Sequence, residues 1–400
     1  MLFLVLSLLV LIHSRQTNAY ENVTIKQVYT PSFGEFVGVS ADGRTILISG
    51  QGQLFVYDYL TSNSSYTSSP AISHTGAYEL GYRCGISGDG NFIIAGVDNP
   101  GSGFIYEKLS NGTWAEVFAT SNPSYPQVVG IDYHGMTAVA CIGGSLNSYI
   151  YSRNTTTNTW STASILVPCF HSGSFSADGR TLVGGDSTFN NNQGVGHVST
   201  SNAGNWNTIQ VSPPAEAIGP SRFGGGSCVN YDGSVIAIGA DNDNNGNGAI
   251  YVYTNGLKNS VKLNVSQPGV AFGSICRLNY QGNVLVVGCG NSPTAIVYYN
   301  NGTDWSYVAS LSLGLLAEAS TLAVSADGTV IVSGAYKSNS VVIWQNVVNV
   351  NSGTTSSNST NNTTGNHTNS PTFAPSSAYY FGNRLGILGL TFAFVFVVFT

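Results

Sequence analysis

Charged side chains are scarce in this sequence. Lysine and arginine together number 13 and aspartate and glutamate 19 in 400 residues, 8% in all, against about 25% in ordinary soluble proteins. With a net charge of -6 there is no basic patch to grip nucleic acid, and no nucleic-acid partner is expected. Nothing supports electrostatic attachment to a membrane surface either. Motifs that carry chemistry are also missing: no His-x-x-x-His, no Cys-x-x-Cys, no phosphate-binding glycine loop and no G-x-S-x-G elbow. Histidine is rare, at six copies. An enzyme would have to assemble its site from distant loops.

What the chain does have is apolar mass and glycine. Hydrophobic residues make up 42% and glycines number 48, so a large core is available beneath a neutral, hydroxyl- and amide-rich surface. One short stretch recurs seven times. It reads SADGRTILISG from Ser40, SGDGNFIIAG from Ser87, DYHGMTAVAC from Asp132, SADGRTLVGG from Ser176, NYDGSVIAIG from Asn230, NYQGNVLVVG from Asn279 and SADGTVIVSG from Ser325. The marker glycines are Gly43, Gly90, Gly135, Gly179, Gly233, Gly282 and Gly328, with spacings of 47, 45, 44, 54, 49 and 46 residues. A period in this range means a repeat architecture.

Each copy reads as an antiparallel meander. In the fifth, SCV runs into an Asp-Gly turn, VIAIG at 235–239 leaves it, and AIYVY at 249–253 and VKLNVS at 261–266 supply a third and a fourth strand. An aromatic marks the third strand at Tyr57, Tyr106, Tyr151, Tyr253, Tyr298 and Trp344, and Trp114, Trp160, Trp206 and Trp305 follow. Aromatics at a fixed strand position read as packing between sheets. Seven such units predict an all-β fold, a seven-bladed β-propeller of four-stranded antiparallel blades. The last copy lacks a fourth strand, while NVTIKQVYT at 22–30 precedes the first copy. That N-terminal strand is expected to close the last blade and remove the open edges.

The repeats resemble those of the FG-GAP family, the propeller type of integrin α subunits. The likeness rests on Phe-Gly at 33–34, 223–224 and 272–273 and on Gly-Ala at 239–240 and 334–335. It implies the propeller fold and extracellular recognition. Integrin-type repeats hold calcium in the first hairpin, where this chain has a tight turn, so no metal site is carried over. Kelch-like propellers share the Tyr…Trp spacing and come second.

The ends read as addresses. Residues 1–19 form a secretory signal with cleavage after Ala19. Residues 20–350 are the propeller. Residues 351–378 form a Ser/Thr/Asn-rich stalk that cannot bury enough surface to fold. Residues 379–400 are a spacer and apolar tail in the pattern of a GPI-attachment signal, with Ser376 as the lipid-attachment residue and a transmembrane anchor as the alternative. Sequons at Asn22, Asn63, Asn111, Asn154, Asn264, Asn301, Asn358, Asn361, Asn362 and Asn366 fit an exported glycoprotein. Six cysteines in an oxidising compartment should form disulfides. Fifteen pairings are open, and Cys276 with Cys289, flanking one hairpin turn, is the suggestive one.

In a propeller the first-to-second and third-to-fourth strand loops share one face, and the remaining loops share the other. Asn63, Asn111, Asn154 and Asn301 fall on the side of the Asp-Gly turns, so glycans would shield it. The opposite face is the expected recognition surface, with Asp98, Asp186, Asn190, Asn191 and Asn192 as candidate ligand contacts. The loop Asp241-Asn-Asp243-Asn-Asn245-Gly resembles the start of a calcium loop, so Asp241, Asp243 and Asn245 are candidate Ca²⁺ ligands, with an ordinary polar loop as the other reading. No other cofactor and no catalytic residue is indicated. The expected function is cell-surface binding or adhesion toward an extracellular protein or glycan, with membrane attachment through the C-terminal anchor. Alternatives are a carbohydrate hydrolase or lyase using Asp98, Asp186, Asp241 or Asp243, and a structural coat protein.

Overall fold

The computed structural model describes residues 12–14, 21–26, 30–62, 64–74, 80–97, 102–120, 126–142, 147–166, 172–265, 269–313 and 321–345. Residues 1–353 form one compact unit and residues 354–400 a second. The second unit, which contains Asn358, Asn361, Asn362, Asn366, Ser376 and the apolar tail, lies outside the described residues.

The first unit is a seven-bladed propeller. Blades 1 to 6 are each built on four consecutive antiparallel strands, blade 5 for example being Phe223–Val229, Ile236–Ala240, Ala249–Thr254 and Asn259–Leu263, and in blade 1 a short strand, Ile72–Ser73, also pairs with the third. Blade 7 takes Thr321–Val324, Val330–Ala335 and Ser340–Gln345, and its fourth strand is the N-terminal Glu21–Lys26. The register of this closing strand sets Val23 opposite Ile343 and Ile25 opposite Val341. Ile25 and Trp344 are both fully buried there. A three-residue strand, Ile12–Ser14, pairs outside it; it falls within the segment expected to be an export signal.

The recurring stretch builds each inner hairpin. In blade 1 the Ser40 hydroxyl donates to Asp42 at 2.6 Å and accepts the Thr45 N–H at 2.9 Å, while Asp42 accepts the Arg44 N–H at 3.0 Å. The same lattice of bonds holds the turns at Ser87, Ser176 and Ser325, with Asn230 and Asn279 substituting their amides. The glycine that follows has a positive φ in all seven copies, which is why the position is glycine.

The turns also join one another. Ala41 N–H donates to Gly88 O, Asp89 to Tyr133 O, Tyr133 to Ala177 O, Asp178 to Tyr231 O, Tyr231 to Tyr280 O, Tyr280 to Ala326 O and Ala326 back to Ala41 O, at 2.7–3.2 Å. Seven backbone bonds therefore close a ring around one end of the central channel.

The third-strand aromatics are core as expected: Tyr57, Tyr106, Tyr151, Tyr253, Tyr298 and Trp344 are all buried. Two ion pairs join neighbouring blades. Lys108 pairs with Asp58 at 2.9 Å, and Arg153 pairs with Glu107 at 3.1 Å while lying over the Phe92 ring.

One cysteine expectation is corrected. The disulfide joins Cys228 to Cys276, on the inner strands of blades 5 and 6, and Cys289 is a free, buried thiol. The hairpin register explains why. Cys276 faces Val287 across the hairpin and Cys289 faces Phe272, so the two are offset. Cys276 instead turns toward blade 5, where its sulfur lies 3.8 Å from Ala237 O. Cys141 is also disulfide-bonded, and Cys84 is free and buried.

Candidate functional site

The loop face was the sequence's candidate, and its backbone is unusual. In blade 4 the link from Thr181–Asp186 to Val195–Asn202 passes through Asn190, Asn191 and Asn192 with φ of 48°, 56° and 65°. In blade 5 the equivalent link passes through Asn244 and Asn245 with φ of 52° and 58°. Non-glycine residues rarely adopt this left-handed region, and asparagine tolerates it best. The Asn-rich composition of both loops is thus a conformational requirement. All five asparagine side chains are exposed.

The neighbouring blade braces each loop. Asn192 O accepts the Arg222 N–H at 2.8 Å, and Gln193 O accepts the Phe223 N–H and the Ser221 hydroxyl at 3.0 and 3.1 Å. Asn242 donates its amide to Pro220 O at 2.8 Å, and Asn247 Oδ1 accepts the Gly269 N–H at 3.0 Å. Gly194 and Gly248 bridge to Phe223 and Phe272. Those phenylalanines belong to the Phe-Gly pairs and are fully buried. The glycine after each, Gly34, Gly224 or Gly273, has φ near 90° and lies against the backbone of Gly334, Gly185 or Gly239 in the preceding blade. Phe-Gly of one blade thus interlocks with Gly-Ala, or in blade 4 with Gly185-Asp186, of its neighbour. Leu80-Gly81 takes this place in blade 2, with Leu80 buried and Gly81 at φ 88°, but it lies against the side chains of Leu54 and Ser49 in blade 1.

The candidate residues take different roles. Asp98 lies outside the described residues. Asp186 accepts the Thr188 N–H at 3.0 Å and hydroxyl at 2.7 Å, and its charge partly offsets the burial that holds the His197 imidazole below its ordinary pKa. Asn190, Asn191 and Asn192 project from the braced turn beside the half-exposed Phe189. Ile218, on the connection into blade 5, is also half-exposed.

The calcium-like loop does not converge. Asp243 is completely buried. Its carboxylate accepts the Tyr251 hydroxyl at 2.6 Å, the Ile218 N–H at 3.3 Å and the Lys262 ammonium at 3.0–3.2 Å. A buried carboxylate needs such partners, and these anchor the loop from below. Asp241 lies 3.5 Å from Arg222 Nε, and burial pushes its carboxyl above the ordinary range despite that arginine. Asn245 is exposed. Among the described residues no group of three or more His, Cys, Asp or Glu side chains is gathered as for a metal ion.

On the opposite face, Asn111, Asn154 and Asn301 are exposed in third-to-fourth-strand links beside the Asp-Gly turns. Each side-chain oxygen holds its own turn, as where Asn301 accepts the Thr303 hydroxyl at 2.8 Å. Asn264 is exposed after the last strand of blade 5, and Asn63 and the Asn22 side chain lie outside the described residues. Among the described residues no helix is long and apolar enough to cross a membrane.

Two features escaped the sequence reading. Tyr133, Tyr231 and Tyr280 directly follow the first residue of their turns and meet across the ring, with centroids 5.3–6.5 Å apart. A Cβ on Gly88 would strike Tyr133 and the Tyr280 hydroxyl. The signal was visible as Tyr in three copies where the other four have Ala or Gly. The second feature is a pair of arginines, Arg83 and Arg277, on the inner strands of blades 2 and 6.

No protein-family model and no curated protein matches the chain. Among solved structures it is similar to Kuenenia stuttgartiensis hydrazine synthase, with a TM-score of 0.60 and 16% identity over 84% of this chain and 100% of that one. At that identity the likeness shows the fold, a propeller.

Proposed function

We propose that the protein is a glycan- or protein-binding module displayed outside the cell, with its recognition surface on the loop face over blades 4 and 5. The observation that favours this reading is the run of left-handed asparagines, Asn190–Asn192 and Asn244–Asn245, in loops fastened by backbone bonds from Arg222 to Asn192, from Asn244 to Ile218 and from Ala271 to Gly246. Pre-set amides lose little entropy on binding, and strained backbone of this kind clusters at functional sites. The half-exposed Phe189 supplies an apolar platform beside the amides, the pairing of chemistries that suits a sugar ring. The hydrolase reading is not favoured, because Asp243 is already fully engaged beneath the loop.

Kinship with FG-GAP repeats belongs to the same proposal. It is supported by the interlocking of Phe-Gly with the preceding blade's Gly-Ala. Export, glycosylation on the turn face and a GPI tail at Ser376 complete the reading.

A glycan array probed with the full chain tests it. Wild type should bind a discrete set of glycans, and Phe189→Ala should reduce that binding at least tenfold with thermal stability unchanged, since Phe189 is half-exposed. An array with no binding above background, or binding untouched by Phe189→Ala and Asn191→Gly, would remove the glycan reading. Release from intact cells by phosphatidylinositol-specific phospholipase separately tests the anchor.

A further inference from the structure

The central channel has one closed end. Tyr133, Tyr231 and Tyr280 come from blades 3, 5 and 6 and touch across the axis at the level of the turn ring. Approach to the channel is therefore from the loop face.

Arg277 lies two residues before Asn279. The Asn279 N–H donates to Val284 O across the hairpin, so in an alternating strand the Cys276 carbonyl, three residues earlier, points to the opposite edge. That edge has no strand beside it and faces the channel. Arg277 Nη1 donates to this carbonyl at 2.7 Å, which places its guanidinium at the channel wall. Arg83 is anchored in the same manner in blade 2, with Nη1 donating to Tyr82 O at 2.9 Å and the guanidinium over the Tyr82 ring at 4.6 Å. Blades 2 and 6 lie on opposite sides of the ring. Burial above all, and then the repulsion of Arg83, bring the Arg277 guanidinium down to about 10.

In a chain with few charges, each of these two inner strands carries an arginine anchored on its own backbone. Glu35 bears on Cys84, next to Arg83, so that side has an acid in its neighbourhood. For Arg277, no carboxylate among the described residues lies within ion-pair distance. A guanidinium has five donors, and the Cys276 carbonyl takes one. Planar, bidentate recognition of a carboxylate is the chemistry such a group suits.

We propose that the channel is a carboxylate-binding site in which Arg277, seconded by Arg83, grips the anion above the tyrosine floor. The site stands apart from the loop-face reading: the asparagine loops can be idle and the channel still bind. Acidic sugars and peptide carboxy termini both present this group, and the experiment separates them.

The test is thermal unfolding of the full chain at constant ionic strength with sodium glucuronate, N-acetylglycine or glucose. Glucuronate should raise the melting temperature by about 2–4 °C once it exceeds its dissociation constant tenfold, and glucose should not. A matching shift with N-acetylglycine marks a site for any carboxylate; a shift with glucuronate alone marks a site for acidic sugars. Arg277→Met should melt no lower than wild type, because it removes a confined like charge, yet lose the anion response. Arg83→Met should weaken that response. No shift with either acid in wild type, or an Arg277→Met protein that still responds, overturns the proposal.

Discussion

Gly239 and Gly273 meet backbone to backbone at the seam between blades 5 and 6. A methyl group on Gly239 would run into the Gly273 carbonyl oxygen, with no flexible side chain to give way. Gly239→Ala should therefore cost about 3 kcal/mol or more, or prevent folding. Gly103→Ala is the control: an added Cβ lies 3.4 Å from Thr120 Oγ1, and its effect should stay within about 1 kcal/mol. Urea melts of the two proteins check the contrast. Asp241 gives a pH prediction of definite sign. Its folded carboxyl sits above the ordinary range because burial outweighs the Arg222 attraction. The folded state thus holds its proton more tightly than the unfolded one, and stability present at low pH is lost as pH rises through the folded value. Asp241→Asn should be more stable than wild type at pH 7, and the difference should close as pH falls below about 4. A difference that grows toward acid pH would mean that the Arg222 pair dominates.

At the scale of elements, the closing strand is the joint that makes a ring of an open row of blades. Ile25 is buried in it and pairs with Val341. Ile25→Ala should cost about 2–4 kcal/mol, far more than an edge strand would lose. A chain lacking residues 20–30 should melt early and recover when a peptide of those residues is added; no recovery would show that closure needs covalent continuity. This strand was legible in the sequence because blade 7 lacked a partner and NVTIKQVYT had none. The turns were legible for a similar reason: Asp-Gly between apolar runs specifies a local geometry. What was not legible lies between blades. Cys276 reaches Cys228, 48 residues away, in preference to its hairpin neighbour, because strand register is not readable from hairpin spacing. The three tyrosines come together only when the ring closes. In the calcium-like loop, composition showed two acids and alternating amides, but burial decides that Asp243 faces inward to Lys262 and Tyr251. Composition alone points to Asn190–Asn192 as ligand contacts, and the same residue type is what the backbone needs there.

For the whole molecule, closure should make seven similar blades unfold as one. An open repeat array can lose its terminal units first. Here the hydrogen-bonded ring of turns, the shared seventh blade and the Cys228–Cys276 bridge leave no terminal unit. Two thiols on distant blades report on this. Cys84 in blade 2 and Cys289 in blade 6 are buried, and burial pushes both thiols up, that of Cys289 to about 11, so neither reacts in the folded ring. Pulse alkylation across a urea series should label both at one midpoint, coincident with the change in tryptophan fluorescence, to which the buried Trp344 in blade 7 contributes. Cys228→Ser should move all three midpoints together by the equivalent of about 2–4 kcal/mol, the effect of opening a loop of this size. If Cys289 became reactive well before Cys84, blades 5 and 6, tied to each other by the bridge, would be a unit that opens separately from the rest. The ring would then be an assembly of parts, and the loop face on blades 4 and 5 would span the boundary where they come apart.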